Sequence, residues 1–552
     1  MSGSLQAWKH CILSGLVFTD AIVFNGIIGN LMSILEDILG RNMAKNAAIL
    51  AIQMGLSSLI AIAGRFLTDD YFGKYIMINI SIVIYIIALV ILCFLLRIEE
   101  DASIYVTCFL IAVGHGCFES LLEEYGKDQI DTANFGGRRV LHYVWWRTPK
   151  FLGSAVGSII LLIAEKCGWK YEWKYAGWLT TGVMVVASSL FFCSKFLYDF
   201  RNDKPATSPY GRVIRVFVAA TLNIHLPGPV PGDLHEEEEH DHILPHSNSL
   251  RCLDKAAIRP RQEDAEKNKW WQCRVTEVEE IKCLLHTFPT WATLVMCGIV
   301  STVQQTLFIE QAYYMERRLG SVKVPVTSLF MLAGLPKLLI DKFHPRRPDR
   351  IITLGIFFSI LCCITAALVE SRRLNAYNGG HVLYDEEDQE NKHDVVNVSI
   401  FWLLPQFFLI GAMDGLVYSG IHDFFDDHLP DSMKSLDFSF FKSVHAAGYF
   451  LFALLATIMN KATKWFGVDI NSSRVDYVYW GLGILSLINF FIYGYISGIF
   501  SPIREGKEND LNGTNNDNDE TTTSAQGRTT TIEMRTVEQL ESGASTASSE
   551  HV

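Results

Sequence analysis

The chain has 552 residues, of which 49% are hydrophobic and only 19% are charged, and its formal net charge is −12. This composition excludes an ordinary soluble enzyme, because about a quarter of the residues in a soluble domain are charged. The acidic residues lie mostly in the middle of the chain and after Ser501, so they belong to solvated segments and give no support for nucleic-acid binding. Apolar runs of about 20 residues recur along the chain, which is the length that a bilayer-spanning helix needs. The sequence therefore predicts a multi-pass membrane protein.

About twelve such runs are expected to form spanning helices. The eighth is short, since about 16 residues separate Val326 from Asp341 and Pro336 interrupts them, so we expect it to be tilted, kinked or partly buried. The first run continues for about 24 residues and is expected to remain as a spanning helix. The predicted starts lie near Cys11, Asn46, Ile76, Ile104, Val140, Ala176, Leu285, Val326, Ile351, Val398, Ser435 and Tyr477.

The order of these runs predicts two six-helix halves, residues 1–196 and 284–500. Residues 197–283 are expected to form a cytoplasmic central loop, and residues 501–552 a disordered cytoplasmic tail whose serines and threonines suit kinases. Two parallel halves joined by a loop favour a secondary transporter that works by alternating access. A channel or receptor with twelve helices is the alternative.

No pattern for catalysis or for a cofactor is present. The twelve cysteines form no CxxC pair, and neither a GxSxG, a Walker loop nor an HExxH occurs. The segment from His235 to His242 is rich in histidine and glutamate, but without a fixed scaffold it predicts an acidic disordered linker rather than a metal site. We therefore predict that the protein is not an enzyme and that it binds no metal and no cofactor.

A glycine-rich loop follows the second run, Gly64-Arg-Phe-Leu-Thr-Asp69-Asp-Tyr-Phe-Gly73-Lys74. It resembles the GxLxDxxxGR loop of the major facilitator superfamily. The resemblance implies a gating loop in which Gly64, Asp69, Gly73 and Lys74 hold neighbouring helix ends in one conformation and release them in the other. A solvated turn is the alternative interpretation.

Five further motifs follow along the chain. They are Tyr125-Gly-Lys-Asp-Gln-Ile-Asp131, Leu253-Asp-Lys-Ala-Ala257, Val275-Thr-Glu-Val-Glu-Glu-Ile-Lys282, Trp402-Leu-Leu-Pro-Gln-Phe-Phe408 and Phe424-Phe-Asp-Asp-His-Leu-Pro-Asp-Ser-Met-Lys-Ser-Leu436. Together they resemble the plant nitrate transporter 1/peptide transporter family, the plant branch of the proton-coupled oligopeptide transporters, from about Ala21 to Pro502. The resemblance implies a major facilitator fold, all α-helical, that imports small anions, peptides, glucosinolates or hormones together with protons.

The coupling motif of that family is degraded in this chain. The family's first helix carries E-x-x-E-R, whereas here Val17-Phe-Thr-Asp20 retains one acid. The lysine that the family's fourth helix supplies to this motif is replaced by Glu119. Both partners of an ion pair are lost together, as expected where an unpaired charge at membrane depth is costly. The resemblance therefore leaves proton coupling open.

Helix five contains two bases that the family usually lacks, Arg147 and Lys150, spaced three residues apart around Pro149. A salt bridge from Glu119 to one of them would restore a charge pair with its polarity exchanged. The alternative is that both bases snorkel at the cytoplasmic helix end.

Charged and polar residues in the second half supply further candidates for solute binding or proton coupling. Asp414 takes the position of the family's glutamate in helix ten, one turn from Tyr418, and interhelical hydrogen bonding is its alternative role. In helix seven Glu310 and Gln311 match a cavity segment of the family, with the same alternative. Lys442 and His445 in helix eleven either pair with Asp437 or line the cavity.

These features predict a transporter of a small polar solute of the nitrate, peptide, amino-acid or hormone class, either proton-coupled through Asp414, Asp20 or Glu119 or facilitative. A solute sensor derived from a transporter is the rival hypothesis, because the coupling motif is degraded and the tail is long. We expect the plasma membrane rather than the vacuolar membrane as its location, with lipid and solute as partners.

Overall fold

The computed structural model describes residues 2–40, 42–98, 101–129, 143–166, 172–197, 209–225, 247, 249–258, 273–320, 322–342, 347–383, 394–463 and 465–516. The histidine-rich segment 235–242 and residues 517–552 of the Ser/Thr-rich tail lie outside these ranges. The predictions of a disordered linker, of a disordered tail beyond residue 516 and of kinase sites in that tail therefore stay predictions, whereas residues 501–516 of the predicted tail are helical.

The first half contains long apolar helices with few charged residues. Asn42 caps the third of them, because its Oδ1 accepts a hydrogen bond from the Lys45 backbone N–H at 3.1 Å. A π-helical turn, Thr68–Phe72, separates the third and fourth helices, and a second π-helical turn, Tyr143–Arg147, precedes the sixth. The helices are α1 Ser2–Gly26, α2 Leu31–Leu39, α3 Met43–Leu67, α4 Lys74–Ile98, α5 Asp101–Gln129, α6 Thr148–Lys166 and α7 Glu172–Cys193.

The remaining helices belong to the central segment and the second half. Those of the central segment are α8 Pro209–Leu222, α9 Arg251–Asp254 and α10 Val275–His286. Those that follow are α11 Phe288–Gln305, α12 Leu307–Tyr313, α13 Leu329–Lys342, α14 Pro348–Asn378, α15 Leu404–His428, α16 Asp437–Ala462 and α17 Val475–Asn516.

Short strands lie in the connections that follow α12 and α14. β1 Met315–Glu316 pairs in parallel with β5 Val395–Ser399, which also pairs antiparallel with β4 Val382–Leu383. β2 Arg318–Leu319 and β3 Val322–Lys323 form an antiparallel pair. These strands satisfy backbone groups of the loops and leave the helical architecture unchanged.

Within the described residues, 11 helices are long and apolar enough to cross a membrane, and a shorter apolar helix covers Val326–Ile340. The sequence-based prediction of about twelve spans is thus confirmed, with the shorter helix in the place of the predicted eighth span. That helix contains Pro336, which removes one backbone donor and disturbs the helix there. The predicted start of the fifth span near Val140 lies outside the described residues, whose fifth span begins at Trp145.

The chain divides into two compact units. The first contains Met1–Ala206, Trp291–Phe424 and Leu436–Phe490, and the second contains Thr207–Thr290, Phe425–Ser435 and Phe491–Val552. The first unit therefore holds spanning helices from both halves of the chain.

In the second unit, α8 and α10 are held together by charge pairs. Arg212 Nη1 lies 2.8 Å from Glu280 Oε2, and Arg215 is paired with Glu277. Lys282 is 1% exposed and lies 2.6 Å from Asp254 and 2.7 Å from Glu279. Part of the predicted central loop is therefore folded, and the folded part coincides with the motifs around Asp254 and Lys282.

Candidate functional site

A cavity of about 360 Å³ lies in the first unit and is walled by helices of both halves. Its volume falls at the lower end of the range of small-molecule sites, about 300–1,000 Å³. Charges at membrane depth are expensive and usually mark a path for a solute or an ion. The charged side chains in the described wall are Asp20, Glu119, Glu123, Arg147, Lys150, Lys337, Asp414 and Lys442.

Glu119 on α5 is paired with a lysine from each half. One carboxylate oxygen contacts Lys150 Nζ on α6, and the other lies 3.1 Å from Lys442 Nζ on α16. The structure thus brings Glu119 to Lys150, as the sequence analysis suggested, and adds Lys442. Arg147 and Lys150 both line the cavity, which agrees less well with the alternative that both snorkel at a helix end. Lys442 is placed at Glu119, whereas Asp437 is in contact with His422 at 2.6 Å.

Arg147 lies near a different group of residues. Its guanidinium is 5.3 Å from the ring centroid of Tyr418 on α15, a cation–π arrangement. Tyr418 donates a hydrogen bond to Glu123 Oε1 at 3.1 Å, and the same oxygen lies 2.9 Å from Lys127 Nζ. Sequence reasoning missed Glu123, although it falls one turn beyond Glu119 on the same helix face.

Asp414 on α15 belongs to the part of the cavity wall that the second half supplies. Ser301 donates a hydrogen bond to its Oδ1, Lys337 Nζ lies 3.2 Å from its Oδ2, and His445 Nε2 lies 3.8 Å from Oδ1. The His445 Nδ1–H donates to the carbonyl of Phe441 at 3.1 Å, which fixes the orientation of the ring. Asp414 is therefore a carboxylate whose charge is balanced by Lys337 from the short helix α13.

Asp20 on α1 faces His115 on α5. His115 Nε2 lies 3.6 Å from Asp20 Oδ1, Asp20 is 4% exposed, and both side chains line the cavity. Sequence reasoning missed His115, because it considered mainly formally charged residues. The signal that was available is the spacing of four residues from Glu119, which places both on one face of α5.

Glu310 and Gln311 on α12 are buried to 1% and 0% exposure, and neither belongs to the described cavity wall. Gln406 Nε2 donates to Gln311 Oε1 at 3.2 Å, the interhelical role that the sequence analysis gave as the alternative. Just after α12, Tyr314 donates to Glu36 Oε1 at 3.1 Å. Burial and the carboxylates of Glu36 and Glu310 raise the pKa of Tyr314, so its phenol remains a hydrogen-bond donor.

The predicted gating loop is tied to the end of α5. Lys74 Nζ lies 2.8 Å from Glu124 Oε1 and 2.5 Å from Asp128 Oδ2. Gly73 has a φ of +77°, a conformation that favours glycine, and the Thr68 hydroxyl donates to the Gly64 carbonyl at 2.7 Å. The geometry agrees with a loop that holds helix ends together, while a gating role for Gly64, Asp69, Gly73 and Lys74 stays a prediction.

Within the described part of the chain, no group of three or more histidine, cysteine, aspartate or glutamate side chains is arranged to hold a metal ion. The charged and polar side chains of the cavity wall offer ion pairing and hydrogen bonding.

Comparison with known proteins places this chain in a transporter family. Residues 75–472 match the sequence profile of the POT family. NRT1/PTR FAMILY 5.6 of Arabidopsis thaliana is 29% identical over 88% of this chain and 90% of its own length, and NRT1/PTR FAMILY 5.7 of the same plant is 30% identical over 88% and 86%.

Solved structures share the fold at lower identity. An auto-inhibited POT family peptide transporter has a TM-score of 0.65 and 18% identity, over 89% of this chain and 96% of its own. A POT family transporter in complex with 5-aminolevulinic acid has a TM-score of 0.58 and 12% identity, over 89% and 96%. The predictions of a major facilitator fold and of a transporter rather than an enzyme are confirmed. The chain is a multi-pass membrane protein that belongs to the POT family, in its NRT1/PTR group.

Proposed function

We propose that this protein carries a small polar solute across the membrane by alternating access through the central cavity. In this proposal the two halves rock against each other and expose the charged wall to one side of the membrane at a time. The central loop and the tail lie in the cytoplasm, and the protein acts in the plasma membrane.

The observation that carries the proposal is the bridge from Glu119 to lysines of both halves. Lys150 belongs to the same half as Glu119 and is able to move with it, whereas Lys442 belongs to the other half. Separation of the halves at this level must break the contact with Lys442 and leave the contact with Lys150 intact. A solute that carries charge competes for the released groups, which links solute binding to the movement.

Contacts between the halves lie on both sides of this bridge along the helices. On the side where α1 ends, Tyr313 donates to Asn30 Oδ1 at 2.8 Å and Tyr314 contacts Glu36. On the side where α3 ends, Arg65 lies 3.7 Å from the Phe438 ring centroid and Tyr418 contacts Glu123. Opening toward either side requires one of these two sets to break.

The solute class follows from the family and from the cavity. The described wall holds four acidic and four basic side chains, which suits a polar solute with one charge of each sign or a small anion. Nitrate, dipeptides, amino acids, plant hormones and 5-aminolevulinic acid therefore form the test panel.

The test is solute exchange in proteoliposomes that contain the purified full-length protein. Vesicles loaded with one unlabelled solute are diluted into the same labelled solute, at equal pH on both sides. We expect label uptake well above that of protein-free vesicles for at least one member of the panel, and a strong reduction in the variant Glu119→Lys.

Two results would overturn the proposal. Saturable solute binding with no exchange in either orientation would favour the sensor hypothesis. Exchange that proceeds undiminished in Glu119→Lys would remove the role given to the Glu119 bridge.

A further inference from the structure

We infer that helix α8 of the central segment binds the surface of the bilayer, with its outward apolar face among the lipid headgroups and the first methylene groups of the acyl chains. The partner of this face is a lipid surface, held by hydrophobic contact rather than by charge. All the residues that form the face belong to the second compact unit, and the binding needs no transport activity.

The sequence of α8 is apolar on all sides. Apart from Arg212, Arg215 and Thr221, residues 212–222 are all valine, isoleucine, phenylalanine, alanine or leucine. A helix that is apolar all round is normally buried in a protein core or in a membrane. With 14 residues α8 is too short to span the bilayer, which takes about 20. Both of its faces therefore need an apolar neighbour, although the helix does not cross the membrane.

The protein itself covers one face of α8. Val216, Ala219 and Ala220 are buried on this side, where α8 packs against α9, α10 and the turn Lys255–Ala257. Just after the helix, Asn223 Nδ2 donates to the Lys255 carbonyl at 3.0 Å and fixes the helix end on that turn.

The opposite face of α8 is exposed and carries the larger apolar side chains. Ile214 is 40% exposed, Phe217 41% and Leu222 46%. At 3.6 residues per turn they fall within an arc of about 140° that is centred opposite Val216. Single exposed apolar residues are normal on a protein surface, whereas a continuous apolar patch usually marks a binding surface. This patch continues beyond the helix with Ile224, which is also exposed.

The two arginines of α8 are occupied by contacts within the protein. Arg212 Nη1 lies 2.8 Å from Glu280 Oε2, and Arg215 is paired with Glu277, both on α10. Arg212 also donates to the Ser432 carbonyl at 3.1 Å. Their charge is therefore balanced by carboxylates of the same unit. The outward face is left with hydrophobic contact as its means of binding, so anionic lipid is not required.

The connections of the chain place α8 beside the bilayer. Helix α10, which holds the two arginines, ends at His286, and the seventh span begins two residues later at the exposed Phe288. Glu280 precedes Phe288 by eight residues, which corresponds to about 12 Å of helix. The headgroup region is about 5–8 Å thick on each side of the hydrocarbon core. A helix that is held on α10 at this level lies within reach of it.

Lipid suits this face better than a protein partner does. The second unit also contains the end of the last span, where Phe491 and Tyr495 are exposed to the surroundings of the helix. The bilayer is thus an apolar surface that borders this unit in every copy of the protein. Helices with apolar residues on one side bind such a surface in its plane, about 5–10 Å deep, and need no matching partner geometry.

The experiment measures the depth of α8 in lipid nanodiscs that hold one copy of the full-length protein. An environment-sensitive fluorophore is attached to Ile214→Cys or to Phe217→Cys, in a background without accessible native cysteines. Asp431→Cys is the matched control, because Asp431 belongs to the same unit and its side chain is 96% exposed. Two quenchers are compared, a lipid with a nitroxide near its headgroup and iodide in the water.

We expect the labels at positions 214 and 217 to be quenched by the nitroxide lipid at least about threefold more strongly than the label at position 431, and to be shielded from iodide to a similar extent. Addition of anionic lipid should leave both values unchanged. The label replaces an exposed side chain in each variant, and a monodisperse elution profile confirms folding. Either of the two α8 positions suffices for the comparison.

Three results would overturn the inference. Quenching by iodide as strong at positions 214 and 217 as at 431 would place the face of α8 in water. Shielding from both quenchers would mean that protein covers the face, and nitroxide quenching that requires anionic lipid would mean attraction by charge. Since none of these measurements involves solute, a failure of the proposed transport function leaves them unchanged.

Discussion

At the level of single residues, the transport proposed for this protein depends on which charges are paired inside the membrane. The carboxylate of Glu119 contacts a lysine of its own half and one of the opposite half. An isolated charge at this depth would be unstable, so the exchange of one residue requires compensation by others. Lys150 and Lys442 provide that compensation.

This pairing predicts the outcome of a charge exchange. Glu119→Lys places three lysines together, and we expect it to reduce solute exchange at least tenfold, since breaking a buried pair costs about 3–5 kcal/mol. Adding Lys150→Glu restores an opposite charge beside position 119 and should recover a substantial part of the flux. The measurement is solute exchange in proteoliposomes, normalised to the amount of reconstituted protein.

Arg147→Glu offers a matched control for this rescue, because Arg147 is three residues from Lys150 but lies over Tyr418. Combined with Glu119→Lys it should not restore exchange. Equal rescue by both substitutions would contradict a specific pair between Glu119 and Lys150.

At the level of elements, the short helix α13 determines the position of Lys337 and therefore the environment of Asp414. Helix α15 approaches α13 closely at Gly411, where an added Cβ would lie 2.0 Å from the Ala333 carbonyl oxygen. Small residues at such crossings allow membrane helices to pack without a driving force from water. The contact between Lys337 and Asp414 lies about one turn further along both helices.

We expect Gly411→Ala to destabilise the protein by about 1–3 kcal/mol, because the methyl group forces α13 and α15 apart. The thermal unfolding midpoint in detergent should fall, and solute exchange should fall with it. Gly494→Ala on α17 is the control, since nothing lies within 4 Å of a Cβ at that position. That variant should be neutral or slightly stabilised, by about 0.5–1 kcal/mol, because alanine favours helix more than glycine does. Similar midpoints for both variants would show that the α13–α15 crossing tolerates the methyl group.

Hydropathy did not predict the helices of the central segment. The segment was expected to be a polar loop, yet α8 and α10 are joined by Arg212 and Glu280, and Lys282 is buried between two carboxylates. These residues are charged and widely separated in sequence, so hydropathy places them in a loop. Their order depends on mutual pairing, which a linear pattern does not report.

At the level of the whole molecule, the two sets of contacts between the halves should control which side of the cavity opens. Tyr313 binds Asn30 on one side, and Tyr418 binds Glu123 on the other. The hydrogen bond to the neutral Asn30 contributes about 0.5–1.5 kcal/mol, which corresponds to a shift of about two- to tenfold in a two-state population, and the one to the charged Glu123 contributes about 1.5–3 kcal/mol, which corresponds to a shift of about ten- to hundredfold.

Tyr313→Phe should therefore favour opening on the side of Tyr313, and Tyr418→Phe should favour opening on the opposite side. The measurement is the labelling rate of a cysteine introduced at Ser154 in the cavity wall, with a membrane-impermeant maleimide applied from either side, in a background without accessible native cysteines. Tyr479→Phe is the control, because the Tyr479 hydroxyl has no hydrogen-bond partner among the described residues. Shifts in the same direction for Tyr313→Phe and Tyr418→Phe would contradict alternating access.

The sequence alone determined the membrane location, the spans, the family and a large part of the charged cavity wall. These properties follow from local composition, from run length and from ordered motifs, all of which are readable along one chain. The short eighth span was recognised in the same way, because Pro336 and Lys337 interrupt an apolar run.

Only the tertiary structure decided which charges meet. Lys442 is 323 positions from Glu119 in the chain, yet the two side chains are in contact. Glu310 matches a cavity motif in the sequence, but its side chain is buried and does not belong to the described cavity wall. His115 carries no formal charge in the sequence count, and Asp20 makes it a candidate only through proximity. Ion pairing and hydrogen bonding depend on distances of a few ångströms between helices, and the packing of those helices is set by the whole fold rather than by any one segment.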